Sequence, residues 1–296
     1  EEAVSRYVTD GCVVAFGAIV AREPIAVACE IIRQGKKNLT YINDSSVDPA
    51  EYLIAAGCIS RFEGAYIWVG GVGNAFNYRR AMEKGIPHYL EVEEYSNLGA
   101  SMRFMAGAIG VPFMPIKTLL GSDIVTNNPK IKVIDDPYGK SGPVAMVPAV
   151  NPDVAFIHVQ RADKDGNCQI WGMVGNDDNI ARASRHVVIT CEEIISTHEI
   201  RKIPNMTTIP SYCVSAVVEV PFGCHPLAVS GYYWLDMPFR REYIKFARTR
   251  EGMMEWMDEW IYGVKSHDEY KRKVGLDRLA KLQQMEHDNY RIPRIE

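Results

Sequence analysis

Through residues 12–116, short apolar runs alternate with stretches of helical periodicity, and Gly or Pro punctuates most of the changes. Residues 12–19 read as a buried strand. Pro24 suits a first helical position, residues 25–34 continue as a helix, and Gly35 stops it. Residues 39–43 then read as a strand, 49–56 as a helix, 65–69 as a strand and 75–84 as a helix closed by Gly85. Residues 88–92 and 111–116 are further strands, on either side of a helix that starts near Asn97. Such βαβ repetition predicts an α/β fold: an open, mostly parallel sheet with helices on both faces.

The texture changes further along. Residues 127–142 are polar and rich in Pro, Gly and Asp, which fits either a hairpin excursion or a soft boundary. Residues 144–147, 154–159, 168–171, 186–190 and 213–220 read as strands, with one short helix at 177–183. From 239 to 285 the chain is helical. Met253, Trp256, Met257, Trp260, Ile261 and Val264 form a stripe facing the core or a partner subunit. The expectation is one domain over 1–296, made of a parallel part (1–125), a smaller β-rich part (143–238) and a helical C-terminus (239–296). The net charge of −4 speaks against a nucleic-acid surface. No apolar run is long enough to span a bilayer. Seven scattered Cys without a C-x-x-C fit free thiols in a reducing cytoplasm. The chain opens on Glu1 inside a helix-like pattern, without Met and with no visible signal peptide, so residues are expected to precede it.

The densest information lies in residues 93–115. Ser96 and Asn97 are good N-cap types, and a helix rich in small residues (Ala100, Ala106, Gly107, Ala108) begins after them. Gly110 and Pro112 end it. A polar amide at a helix start, where backbone N–H groups favour negative charge, suits a developing oxyanion, and it also suits a plain cap.

Other motifs narrow the chemistry. Gly70-Gly71-Val72-Gly73-Asn74 lies between a strand and a helix, so its amides could approach an anionic oxygen, or it could be an ordinary βα turn. Phe76 stands where a dinucleotide fingerprint needs its third Gly. Gly139-Lys140-Ser141 lacks the first Gly of a P-loop, because Ile134 occupies that place. Asp163-Lys164-Asp165-Gly166-Asn167 looks like a calcium loop, but its Gly is misplaced and Val174 replaces the closing Glu. The histidines show no metal-ligand spacing and there is no G-x-S-x-G elbow, so no metal site is expected. Cys224 has no sequence neighbour to act as its base.

Several segments together resemble the A-type subunit of family I coenzyme A transferases, in its glutaconate branch. They are 93–115, the hairpin 153–172, Thr190-Cys191-Glu192-Glu193-Ile194-Ile195-Ser196, Pro221-Phe222-Gly223-Cys224-His225-Pro226 and Lys265-Ser266-His267-Asp268-Glu269-Tyr270. The resemblance covers nearly the whole chain. It implies that Asn97, where the family usually has Gln, binds the thioester oxygen. It places the turn 16–24 at the site, although Phe16 and Ala18 depart from the family's Gly-Gly-aromatic pattern, and it makes Gly17 and Arg22 candidate contacts. Gly70, Gly71, Gly73, Asn74, Ser122 and His225 are candidate substrate-binding residues on the same ground; His225 could equally be a histidine held by its own turn. Gly166 and Asn167 are implied to be structural.

The implied reaction is transfer of CoA between an acyl-CoA and a carboxylic acid, with a dicarboxylate expected. It runs through an acyl anhydride and an enzyme–CoA thioester on a Glu of a separate B-type subunit. CoA thioester is then substrate, and no permanently bound cofactor is expected. Relatives on this scaffold also decarboxylate CoA thioesters or hydrolyse carbon–carbon bonds, the latter with a Glu near the place of Asn97. A non-catalytic acid- or CoA-binding protein is the remaining alternative.

Overall fold

Side chains alternate across a strand, so Val14, Phe16, Val154, Phe156 and Val188 share one side of the sheet while Ala15, Ala155, Ile157, Val187 and Ile189 share the other. All are buried, so the sheet is covered on both faces. The computed structural model describes residues 1–140 and 142–289; the Gly139–Lys140 motif therefore ends on a residue outside those described, as do the last residues of the expected helical segment. The chain begins with α1 (Glu2–Tyr7), β1 (Val13–Phe16), α2 (Ile25–Arg33), β2 (Leu39–Ile42), β3 (Ser45–Ser46), α3 (Asp48–Ala55), β4 (Ile59–Gly64), β5 (Tyr66–Ile67), α4 (Phe76–Lys84), β6 (Glu91–Glu94) and α5 (Asn97–Ile109). Next come β7 (Phe113–Ile116), α6 (Asp123–Asn127), β8 (Lys132–Asp135) and β9 (Pro143–Pro148). Then follow β10 (Val154–Ala162), β11 (Cys168–Gln169), α7 (Asp177–Ala183), β12 (His186–Ile194), α8 (Thr197–Lys202), β13 (Thr207–Ile209) and β14 (Ala216–Glu219). The described chain closes with α9 (Met237–Ala247), α10 (Arg250–Met257), α11 (His267–Val274) and α12 (Leu276–Asn289). None of these helices is long and apolar enough to cross a membrane.

The expected parallel sheet is present, in the order β6–β4–β2–β1–β10–β12–β14 with every neighbouring pair parallel. Two expected strands are placed differently. Residues 65–69 supply only β5, which forms a two-stranded ladder with β3, while the sheet strand is β4 just before it. Residues 111–116 supply β7, which leaves the main sheet and pairs antiparallel with β9. The polar stretch 127–142 falls within this excursion, where β8 and β9 form the hairpin. Within 143–238, β9 joins the small antiparallel sheet with β7 and β8, while β10, β12 and β14 extend the sheet begun by β1, and the hairpin β10–β11 turns at Asp163–Asn167.

Phe104 of α5 and Ile180, Ala181 and Ala183 of α7 cover one face, while α2, α3 and the C-terminal helices cover the other. Met253, Trp256, Met257 and Ile261 belong to this second core, so the C-terminal stripe faces inward. Trp256 lies 4.7 Å from the Tyr52 ring and 5.0 Å from that of Tyr243. One polar cluster fastens the same layer. Asp236 Oδ2 accepts from Arg278 at 2.6 Å and bonds His225 Nε2 at 3.0 Å, and Asp236 Oδ1 takes the Phe239 amide that opens α9. Burial pulls the Asp236 carboxyl upward, but the bonds from His225, Arg278 and the Phe239 amide outweigh it and hold it well below the usual carboxylate range.

Two features of this packing can be measured as stability. Gly107 sits in α5 where a Cβ would lie 2.2 Å from the Val150 carbonyl oxygen. Gly107→Ala therefore lowers stability by about 1–3 kcal/mol in urea unfolding, although Ala normally helps a helix interior. Asp236→Asn costs about 2–3 kcal/mol at pH 7, at the low end for a broken buried pair because Arg278 is 40% exposed. The wild-type carboxyl titrates lower folded than unfolded. Its advantage is therefore complete above the ordinary carboxylate pKa of about 4 and shrinks as pH falls below it. Paired melts of both proteins across that range measure this.

Candidate active site

The parallel strands all point their carboxyl ends to one edge, and β1 and β10 form the centre from which the connections run in opposite directions. Ligands of open α/β sheets sit at such a switch point. The chain leaves β1 there through Gly17, whose N–H bonds the Phe156 carbonyl. A Cβ on Gly17 would lie 2.6 Å from Asp177 Oδ1, so only Gly lets that carboxylate approach. Ala18, Val20 and Arg22 then take left-handed backbone angles (φ 68°, 64° and 63°). Residues with a Cβ avoid this region unless surroundings enforce it, and such strain gathers at functional sites. The enforcing contacts are visible. Asp177 Oδ1 accepts from the Ala18 amide at 2.5 Å, and Asp177 Oδ2 accepts from Arg22 Nη2 at 2.8 Å. Arg22 also donates to the carbonyls of His158 and Met173. Its side chain is 1% exposed, so Arg22 is corrected from a ligand contact to an internal brace of the turn.

Next along the edge, Asn43, Asp44, Ser45 and Ser46 follow β2, all buried. Asp44 Oδ2 accepts from Ser101 Oγ at 2.8 Å, which ties α5 to the end of β2. Burial raises the Asp44 carboxyl above its ordinary range. Asn97 opens α5 at the end of the edge strand β6. The cap is Ser96, whose Oγ accepts from the Gly99 amide at 3.0 Å. The Asn97 side chain is exposed and has no hydrogen-bond partner among the described residues. With β2 and β4 between β1 and β6, a polar row of about 14 Å runs from the turn 18–22 to Asn97.

The loop Gly70–Asn74 stands over the same edge. Gly71 uses φ 80°, and the Gly70 carbonyl accepts from Arg240, which is ion-paired with Asp48 at the start of α3. Asn74 is exposed. The helix after the loop, however, does not offer its N–H groups outward: the Asn77 and Tyr78 amides of α4 both go to the buried Glu51 carboxylate, at 3.1 and 2.7 Å. Burial lifts Glu51 to about 7. Ser122 lies in the loop beside the start of α5, where Thr118 Oγ1 is 3.5 Å from Ser96 Oγ, and its own hydroxyl donates to the Leu119 carbonyl. His225 is not at this edge. It is buried beneath α9 and α11, between Asp236 and Tyr270 Oη (2.6 Å), and burial lowers its pKa; it is corrected from substrate contact to a fastening of the C-terminal layer. The Cys224 thiol is buried and raised well above its ordinary pKa, unsuited to nucleophilic attack.

Sequence reading missed Glu23, Asp44, Ser101 and Asp177. The signal present was the polar run 43–46 directly after an apolar strand. Chemically, the row offers an amide donor and a helix N-terminus at one end, suited to a developing oxyanion. Its carboxylates (Glu23, Asp44 and Asp177) are buried and hydrogen-bonded, so none of them is free to attack a substrate.

Comparison with known proteins accords with this geometry. The family model "Coenzyme A transferase" matches residues 1–220. The A subunit of the 3-oxoadipate CoA-transferase of Pseudomonas knackmussii is 38% identical over 92% of this chain and 96% of its own. The A subunit of the glutaconate CoA-transferase of Acidaminococcus fermentans is 36% identical over 95% of this chain and 92% of its own. The crystal structure of that organism's glutaconate CoA-transferase superposes with a TM-score of 0.91, covering 95% of this chain and 93% of the other. An uncharacterized protein of Archaeoglobus fulgidus is 41% identical over 97% of this chain, which spans only 64% of that relative's length. By sequence and by fold, this chain belongs to the coenzyme A transferase family.

Proposed function

We propose that this chain is the A-type half of a two-subunit CoA-transferase that moves CoA between an acyl-CoA and a carboxylic acid. The observation that carries the proposal is Asn97: an exposed amide at the first residue of α5, relieved of capping by Ser96, at one end of a row whose own carboxylates are all occupied. Two relatives are named as the A subunits of their enzymes, which supports a second chain as the source of the nucleophile. The acids in their names, 3-oxoadipate and glutaconate, support a dicarboxylic acid.

In the proposed reaction the B-type subunit supplies a glutamate carboxylate that attacks the thioester carbonyl carbon. The carbonyl oxygen gains negative charge and accepts hydrogen bonds from Asn97 Nδ2 and the first amides of α5. Collapse expels CoA thiolate and leaves an acyl–glutamate anhydride. The thiolate attacks the glutamyl carbonyl, which releases the first acid and forms the enzyme–CoA thioester. A second acid attacks that thioester and takes the CoA by the reverse sequence. Preorganised donors act most strongly where charge develops, and losing one costs about 2.7–4 kcal/mol of barrier. An amide at this position donates without taking a proton, which favours an oxyanion role over that of a general base.

With the B-type subunit present, Asn97→Ala lowers turnover tenfold or more while the complex still assembles. Asn97→Gln, which keeps the amide, retains most of it. Mass spectrometry of the acyl-CoA products from both acids reads the reaction. Unchanged turnover in the Ala variant, or full activity of this chain alone, overturns the proposal. Loss of CO2 without CoA exchange would assign a decarboxylase instead.

A further inference from the structure

Glu23 is buried between two walls of the carboxyl edge and takes no part in the reaction above. Its Oε1 accepts from the Val20 amide at 3.2 Å, inside the left-handed turn. Its Oε2 accepts from the Ser46 hydroxyl at 2.8 Å, and both oxygens lie 3.3 Å from the Val47 amide at the entry to α3. We propose that Glu23 is a positioning residue that clamps the turn 18–22 against Ser46–Val47 and so fixes the β1 end of the acyl site. The proposal rests on the edge being that site, and it names a control that the site's own residues do not supply.

No cation faces this carboxylate among the described residues. The guanidinium of the adjacent Arg22 is committed to Asp177, and Asp48 on α3 is committed to Arg240 of α9. From β2, the Tyr41 phenol bonds Ser46 Oγ at 2.9 Å and is itself raised in pKa by burial and by the Glu23 charge. From the loop after β14, the buried Cys224 thiol faces it as well. Three donors and no counter-ion make opposing demands. Burial pushes the Glu23 carboxyl up to about 8, against the pull of the Ser46, Val47 and Val20 bonds and with a further push from Asp48. Ionised, the group accepts all three donors. Protonated, the group loses the charge that strengthens these bonds, and the oxygen carrying the proton accepts more weakly. The turn is therefore held most firmly above that range and loosens as pH falls through it.

A reporter stands beside the clamp. The Trp68 amide donates to the Ser46 carbonyl at 3.2 Å, and Trp68 is 51% exposed. In the full chain, Trp68 emission, isolated by difference from Trp68→Phe, should shift with a midpoint near 8. The shift should vanish in Glu23→Gln, and its midpoint should rise in Ser46→Ala, which removes one donor to the carboxylate. In the enzyme assembled with its B-type subunit, kcat/KM should rise from pH 7 to 9, by at most about tenfold for one ionisation near 8. That rise should be carried by KM and absent in Glu23→Gln. A folded Glu23→Gln protein that keeps either the emission transition or the rate limb overturns the proposal. If that variant does not fold, an unmoved midpoint in Ser46→Ala does so. The emission arm needs no substrate, so its outcome is independent of Asn97→Ala, which tests the acyl-site reading by itself.

Discussion

The buried Asp177 carboxylate determines how the two halves of this sheet meet. One oxygen holds the Ala18 amide and the other holds the Arg22 guanidinium, across the switch point between β1 and β10. Burial raises this carboxyl and the Arg22 guanidinium opposes the rise, so the pair is under continuous desolvation stress. Buried pairs of this kind contribute little net stability over an apolar substitute. What this one supplies is direction. It holds Ala18 and Arg22 in the left-handed region, while Glu23 holds the Val20 amide between them, and it excludes any residue but Gly at position 17 and seats α7 against the first strand. The conformation of the turn thus depends partly on α7, which is far away in sequence.

The same logic runs along the edge toward Asn97. A charged cluster on β4 and β6 supports the strands from which α5 departs: Arg61 bonds Glu63, Glu91 and Glu93, while Lys130 and Arg103 neutralise Glu93 and Glu63. Arg103 belongs to α5 itself and lies over the Tyr95 ring at 4.1 Å. The helix that carries Asn97 is therefore held to the sheet by an ion pair near its middle and by Ser101–Asp44 near its start, and to the loop before β10 and to α7 by close approach at Gly107. These three attachments hold the start of α5, and with it the exposed Asn97 amide, in one place.

That charge cluster also explains what the sequence made hard to see. Apolar runs marked β1, α2 and β2 well, and the helix stripe 253–264 was legible because its period matched a buried face. β4 and β6 carry Arg61, Glu63, Glu91, Glu93 and Glu94, so hydropathy moved one expected strand to the apolar residues 65–69 and drew the other early, to 88–92. Their charges are compatible with strands only because partners from β4, β6, α5 and Lys130 meet in space. β7 reads like the next parallel strand, since an apolar run has no mark for the sheet it will join. Arg22 and His225 were visible as functional residue types, but their roles turn on Asp177 and Asp236, whose approach no local pattern encodes.

The start of α5 shows how far local sequence can go. Ser96 and Asn97 are adjacent residues of nearly equal capping preference, and pattern alone cannot say which accepts the helix amide. The backbone decides. Ser96 is extended, with φ −70° and ψ 161°, and its Oγ reaches Gly99, while Asn97 is already helical. The Asn97 side chain, one residue further on, is exposed and makes no hydrogen bond among the described residues. Capping by Ser96 and an available amide on Asn97 are therefore one structural fact. Exchanging the two residues would keep a competent cap but move the exposed amide off the first helical residue.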